Sequence, residues 1–283
     1  MQKLYHPIYV QQRSDALMRA MDEQSYEEEV IALKALRATR RSKIDTYPSL
    51  SVVISTARPT DFSQILNQLH KQKLPHFELV IGIHDFKMNA KHKALIRKLE
   101  SRAVDVKVKS FEKHETLGSI LSVLAADSSG QYISKMDDDD IYGPEHLQDL
   151  LDALLDKGAD VAGRAMNYIY IEDLDLTTRK ILATGISSVE EWDDWVCGGT
   201  ILVKREAGES AGWFGEGKSA VDKFLLSGVK SRGGRIFRTY GNGYIYRRSL
   251  TPQTYVTHYS KYLNNSIEQR TGIWRSEEFG TDT

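Results

Sequence analysis

From Leu50 onward, apolar residues fall into short runs that alternate with longer stretches in which they recur every three or four positions. Leu50-Ser-Val-Val-Ile-Ser55 reads as a buried strand, and Asp61 to His70 carries Phe62, Ile65, Leu66 and Leu69 at helical spacing. Phe77 to Ile83 predicts a second strand and Asn89 to Glu100 a second helix. Val104, Val106 and Val108 alternate as a third strand, and Leu117, Ile120, Leu121 and Leu124 mark a third helix. Tyr132 to Met136 is a fourth strand. Glu145 to Lys157 follows as a helix with Leu147, Leu150, Leu151, Leu154 and Leu155 on one face. Strands alternating with helices through short connections imply an α/β fold, a Rossmann-like, mostly parallel sheet flanked by helices.

Before this series, Gln11 to Arg41 predicts one or two helices, the second opened by a capping box at Ser25-Tyr-Glu-Glu28. Its basic cluster, Lys34, Arg37, Arg40, Arg41 and Lys43, is expected to be a solvated helix end that suits the helix dipole. The sharper alternative is peripheral contact with an acidic membrane surface. After the fourth strand the pattern loosens. Ala159 to Ala162, Asn167 to Ile171, Arg235 to Thr239 and Tyr244 to Arg248 read as strands, the last followed by Thr254 to His258, and Ser219 to Val229 as a helix burying Val221, Phe224 and Leu225. From Ser266 periodicity fades, which predicts a peripheral tail. The expected division is an N-terminal helical extension over 1–46, a main domain over 47–260 split near 145 into a nucleotide-binding and an acceptor-binding half, and a tail over 261–283.

Composition narrows the picture only a little. The 283 residues are 41% hydrophobic and 27% charged, with a formal net charge of −1. This is an ordinary globular balance with no global field that calls for nucleic acid. Cys197 is the single cysteine, which excludes an internal disulfide and a Cys-rich zinc site and fits a reducing compartment. Neither a signal-like apolar start nor a bilayer-length apolar segment is present, so a cytoplasmic location and no transmembrane segment are expected.

The candidate chemistry lies in Asp137-Asp138-Asp139-Asp140, placed directly after the fourth strand and before Gly143-Pro144. In an open α/β sheet the carboxyl ends of the strands form the ligand crevice. Carboxylates at alternate positions, Asp137 and Asp139, can serve one divalent cation whose other positions are filled by water and phosphate oxygens. The blander reading is a solvated acidic turn at a helix start. There is no Gly-x-Gly-x-x-Gly after the first strand and no phosphate-binding Gly-x-x-x-x-Gly-Lys-Ser/Thr, so dinucleotide and P-loop chemistry are unsupported. The first turn is instead Ser55-Thr56-Ala57-Arg58-Pro59.

Taken in order, Ser51 to Pro59, Phe77 to Ile81, Asp137 to Asp140 with Gly143 to Leu147, Gly198-Gly199-Thr200, Gly212-Trp-Phe214, Asp222 with Phe224-Leu225, and Gly233 to Arg238 resemble the family 2 glycosyltransferases of GT-A fold over about Tyr47 to His258. The resemblance implies an inverting, hexosyltransferase-type enzyme that uses Mn2+ or Mg2+. It would move one sugar from a nucleoside diphosphate sugar, UDP-linked by expectation, to an unidentified hydroxyl acceptor in surface polysaccharide or glycoconjugate synthesis. It implies Asp139 as principal metal ligand, with Asp137 and His258 beside it, and Asp222 as catalytic base. Thr56, Arg58, His84, Asp85, Gly118, Asp137, Asp138, Gly199 and Arg247 become candidate donor contacts. The chain departs from the family pattern at Val221, where the family has Glu before the base, and at Gly82-Ile83-His84-Asp85, where an Asp often reads uracil. The Gln-x-x-Arg-Trp signature of processive synthases is absent, which implies a single transfer per encounter. Trp192, Trp195 and Trp213 are either acceptor-stacking surfaces or core. Two other classes stay open: a nonenzymatic nucleotide-sugar binding protein that has lost the base, and a sugar-phosphate nucleotidyltransferase, which would need more than Arg58 after the first strand.

Overall fold

The computed structural model describes residues 25–102, 104–180, 189–249, 259–264 and 266–282. The first part of the predicted N-terminal helical region and the stretch Thr254 to His258 lie outside them. In chain order, α1 (Tyr26–Arg41) precedes β1 (Leu50–Thr56), α2 (Pro59–Lys71), β2 (Glu78–His84), α3 (Ala90–Glu100), β3 (Asp105–Phe111), α4 (Leu117–Asp127) and β4 (Tyr132–Lys135). Next come β5 (Ile141–Tyr142), α5 (His146–Lys157), β6 (Val161–Arg164), β7 (Tyr168–Ile171) and β8 (Leu176–Lys180). The remainder is β9 (Glu191–Trp192), β10 (Leu202–Lys204), α6 (Arg205–Ala211), α7 (Val221–Ser231), β11 (Ile236–Thr239), β12 (Tyr244–Arg248), α8 (Ser260–Leu263) and β13 (Ser266–Thr271).

The main sheet has the order β3-β2-β1-β4-β10-β6-β11-β9. Its first four strands are parallel, β10 runs antiparallel between β4 and β6, and β11 is parallel to β6. Both faces are covered, which explains the near-continuous apolar runs of β1 and β2. Val52, Ile54, Leu79 and Ile81 meet Phe62, Ile65, Leu66 and Leu151 on one side, and Val53 and Val80 meet Ile120, Leu121 and Leu225 on the other. Thr56 pairs with Ile83 while Lys135 pairs with Val53, so β1 reaches past the end of β4 and leaves a step at the carboxyl edge. The acidic run starts on that step.

A second sheet, β13-β8-β7-β12-β5, closes over this edge. Its outermost strand corrects the expectation of a peripheral tail: β13 pairs antiparallel with β8, and beyond it Trp274 is fully buried. Trp274 packs against Tyr26 and Tyr168 at ring-centroid distances of 5.2 and 5.4 Å. A tail that supplies one strand and two aromatic anchors carries little periodicity, because each residue meets a different neighbour.

The basic end of α1 also departs from expectation. Arg37 Nε lies 2.8 Å from Asp149 and its Nη1 2.6 Å from Glu278, Arg40 Nη2 lies 2.6 Å from Glu190, and Arg41 reaches Glu145 and Asp152 at 2.9 Å. Arg37 and Arg40 are buried, so this cluster is neither a solvated terminus nor a free membrane-binding face. The cause is α5, whose Asp149, Asp152 and Asp156 repeat at helical spacing and offer α1 an acidic stripe. Burial alone would raise the Asp149 pKa, but Arg37 and Arg164 overcome it and hold the carboxyl below its usual range. Among the described residues, no helix is long and apolar enough to cross a membrane.

Arg37→Ala is expected to destabilise the fold by about 3–5 kcal/mol in urea titration, since it strands Glu278 and weakens the pairing of Asp149. Because the folded Asp149 pKa is depressed, its contribution is complete above the unfolded value of about 3.9 and is lost only as pH falls through the lower folded value. The difference between wild type and variant should therefore persist at neutral pH and shrink in strong acid. Trp274→Ala should cost about 3–5 kcal/mol, which a peripheral tail would not.

Candidate functional site

β4 ends in a lysine, and the chain then turns sharply so that its four carboxylates point to different partners. Asp138 is buried and accepts from Thr56 Oγ1 at 2.5 Å and from the Arg58 guanidinium. Burial pushes its pKa up to about 6, against the pull of Arg58 and Thr56. Asp139 lies 2.8 Å from Arg58 Nη1. Asp140 is buried and accepts from the Tyr244 hydroxyl at 2.6 Å and the Arg247 backbone N–H at 2.9 Å. Asp137 faces Lys135 Nζ at 2.9 Å, while its backbone N–H donates to the Tyr142 hydroxyl at 2.8 Å.

Asp222 joins this cluster from the first turn of α7, 2.8 Å from the same Lys135 Nζ. Burial raises its pKa, Lys135 draws it back, and Asp137 pushes it up again. Ala220, immediately before α7, takes a left-handed φ of 57°, a conformation that costs a non-glycine residue about 1–2 kcal/mol. Two glycines make room. A Cβ on Gly198 would stand 2.0 Å from Asp222 Oδ2, and one on Gly199 would stand 2.8 Å from both Asp140 Oδ2 and the Tyr142 hydroxyl. Gly199 is therefore a space-maker beneath the turn.

The expected donor residues divide. Thr56, Arg58, Asp137, Asp138, Asp139, Gly199 and Asp222 converge. His84 ends β2, the strand next to β1, and Asp85 follows in a left-handed conformation at φ 57°. Among the described residues, neither is joined to the acidic turn by a hydrogen bond or ion pair. Gly118 does not line an open crevice: a Cβ there would lie 2.8 Å from Gly215 O and Gly217 N, so its space is taken by backbone. Arg247 offers Asp140 its backbone N–H, and its guanidinium turns to Glu172 at 2.6 Å and Asp61 at 3.4 Å. His258 lies outside the described residues. Trp213 is buried against Gly208, and Trp192 packs on Phe237 beneath Arg235, 4.3 Å from the ring centre, so neither presents a free stacking face.

Asp137 and Asp139 retain side-chain exposures of 35% and 23%. Burial raises the Asp139 pKa, Arg58 lowers it, and Asp137 raises it further. An all-oxygen pair of this kind fits a hard divalent cation. Among the described residues, no group of three His, Cys, Asp or Glu is assembled for a metal. Sequence reasoning missed Lys135 and Tyr244. Lys135 did carry a signal: a lysine inside an apolar strand must be paired, and the nearest acids follow at once.

A mostly parallel sheet with an acidic turn on its carboxyl edge and a glycine pair facing it is an architecture of GT-A type. The sequence profile of "Glycosyl transferase family 2" matches residues 51–205, just over half of the 283 residues. The chain belongs to that family. Among solved structures it is similar to S. aureus TarS 1-349, with TM-score 0.55 and 17% identity over 70% of this chain and 60% of that one. It spans 37% of the longer TarS chain. The TarS 1-349 complex with UDP-GlcNAc matches at TM-score 0.55 and 18% identity, covering 78% and 68% of the two chains. The mannosyltransferase PcManGT of Pyrobaculum calidifontis, in complex with GDP-Man and Mn2+, matches at TM-score 0.57 and 16% identity, covering 86% and 70%. At these identities the likeness is one of fold. No curated protein matches at the sequence level.

Gly118→Ala should cost about 1–3 kcal/mol through overpacking against the 214–217 backbone. A lowered melting temperature with unchanged nucleotide affinity would fit packing, and a selective loss of nucleotide binding would return Gly118 to the donor site.

Proposed function

We propose that this chain is a cytoplasmic, metal-dependent, inverting glycosyltransferase that moves one sugar from a nucleoside diphosphate sugar to a hydroxyl acceptor, in surface polysaccharide or glycoconjugate synthesis. The observation that carries the reading is the shared ammonium. Lys135 Nζ touches Asp137 at 2.9 Å and Asp222 at 2.8 Å, so the expected base lies within one small group's width of the acidic turn. Direct displacement needs that juxtaposition, with a carboxylate on the acceptor side and cation-binding oxygens on the leaving-group side.

Each residue then has a task. Asp139 and Asp137 would hold Mn2+ or Mg2+, which when bound supplies Lewis-acid stabilisation of the departing diphosphate. Thr56 and Arg58 hold Asp138 in place, and Arg58 also sets the orientation of Asp139. Asp222 takes the acceptor hydroxyl's proton, a role that contributes roughly 10²–10⁴-fold. Its elevated pKa brings its basicity nearer to neutral pH, while Lys135 favours the carboxylate form. His84 and Asp85, next along the edge from Thr56, are the proposed readers of the nucleotide base, uracil by first expectation. The neighbours in complex with UDP-GlcNAc and with GDP-Man support a nucleotide-sugar donor and leave both bases to be compared. The main unit proposed for this work spans 47–260, with the acceptor approaching from the 146–260 side.

Melting curves with UDP, GDP and their sugars, with and without Mn2+, test the donor half. A ligand at about a hundredfold over its dissociation constant stabilises by roughly 2.7 kcal/mol. The expected result is a Mn2+-dependent shift with one nucleotide that disappears in Asp139→Ala. Asp222→Asn should keep that shift and lower transfer by about 10²–10⁴-fold. No shift with any nucleotide would overturn the reading, and full transfer by Asp222→Asn would remove its base.

A further inference from the structure

Lys135 is the last residue of β4 and is buried, its side chain 3% exposed. Its burial is matched by two carboxylates, Asp137 and Asp222, each within ion-pair distance of Nζ. An ammonium has three N–H donors. Here Nζ donates to Asp137 Oδ2 at 3.2 Å and to the Gly198 carbonyl at 3.1 Å, and it forms an ion pair with Asp222 Oδ1 at 2.8 Å. Gly198 also closes the far side of the cradle, since no Cβ fits beside Asp222 Oδ2. The Asp222 carboxylate is thus fixed between a cation and a wall of bare backbone.

We propose that Lys135 is a positioning residue that ties the base Asp222 to the donor-side carboxylate Asp137, and that it competes with the donor's cation for Asp137. The inference rests on the proposed function and deepens it. A cation arriving at Asp137 takes that oxygen from Lys135 and leaves the ammonium to Asp222 and Gly198, so occupancy of the donor side is felt at the base. Coupling of this kind is reciprocal: whatever loosens Lys135 from Asp137 favours the cation, and the cation favours the pairing of Lys135 with Asp222. Lys135 needs no contact with either substrate to do this.

The test measures two quantities that Lys135→Met moves in opposite directions. Mn2+ binding is titrated on the protein without nucleotide, and transfer is measured separately, for wild type, Lys135→Met, Lys135→Arg and Gly198→Ala. Lys135→Met is expected to bind Mn2+ several-fold more tightly, because the competing ammonium is gone, while kcat falls about 10²-fold or more and donor KM changes little. Lys135→Arg should restore part of kcat and part of the competition. Gly198→Ala displaces Asp222 from Lys135 and leaves the ammonium to Asp137, so it should lower kcat and weaken Mn2+ binding. It also keeps the question decidable if Lys135→Met fails to fold, because a wild-type kcat in Gly198→Ala would overturn the cradle. Weaker or unchanged Mn2+ binding in folded Lys135→Met would overturn the competition, and a wild-type kcat there would overturn the positioning role. Failure of the underlying reading looks different: wild type itself would show no Mn2+-dependent nucleotide binding.

Discussion

Four consecutive carboxylates at the end of a buried strand repel one another in a medium that screens poorly, and the rest of the architecture answers that constraint. Each acid has its own partner from a different part of the chain: Lys135 for Asp137, Thr56 and Arg58 for Asp138, Arg58 for Asp139, Tyr244 and the Arg247 backbone for Asp140. These partners stand on β4, at the junction of β1 with α2, and on β12. The turn can adopt its shape only when the two sheets have already met. The site and the fold are therefore assembled together.

The repeating half was legible because its physics is local. Strands buried on both faces and helices with one apolar stripe leave periods of two and of three to four, and β1 to β4 with their helices follow those periods closely. The acidic turn was legible for the same reason, since it sits where a clear strand stops. What escaped is pairing between distant segments. Nothing in Lys34 to Lys43 announces that Arg37 and Arg40 will be buried, because their partners are Asp149, Glu278 and Glu190. Gly118 illustrates the limit from the other side: a bare helix start invites a ligand on paper, and only the path of residues 214–217 shows that backbone fills the space.

The similar structures show how little the shared sheet determines. One is bound to UDP-GlcNAc and another to GDP-Man, yet both superpose on this chain with similar scores. What tells one donor from another lies in the site rather than in the fold.

The aromatic and ionic contacts of α1 have a meaning for the order in which the molecule is made. Tyr26 donates to Ser276, 250 positions later, and Arg37 meets Glu278 across 241. During synthesis the amino-terminal helix emerges long before these partners exist, with arginines that no local acid neutralises. A chain cut short of Trp274 would leave Tyr26 and Arg37 without these partners.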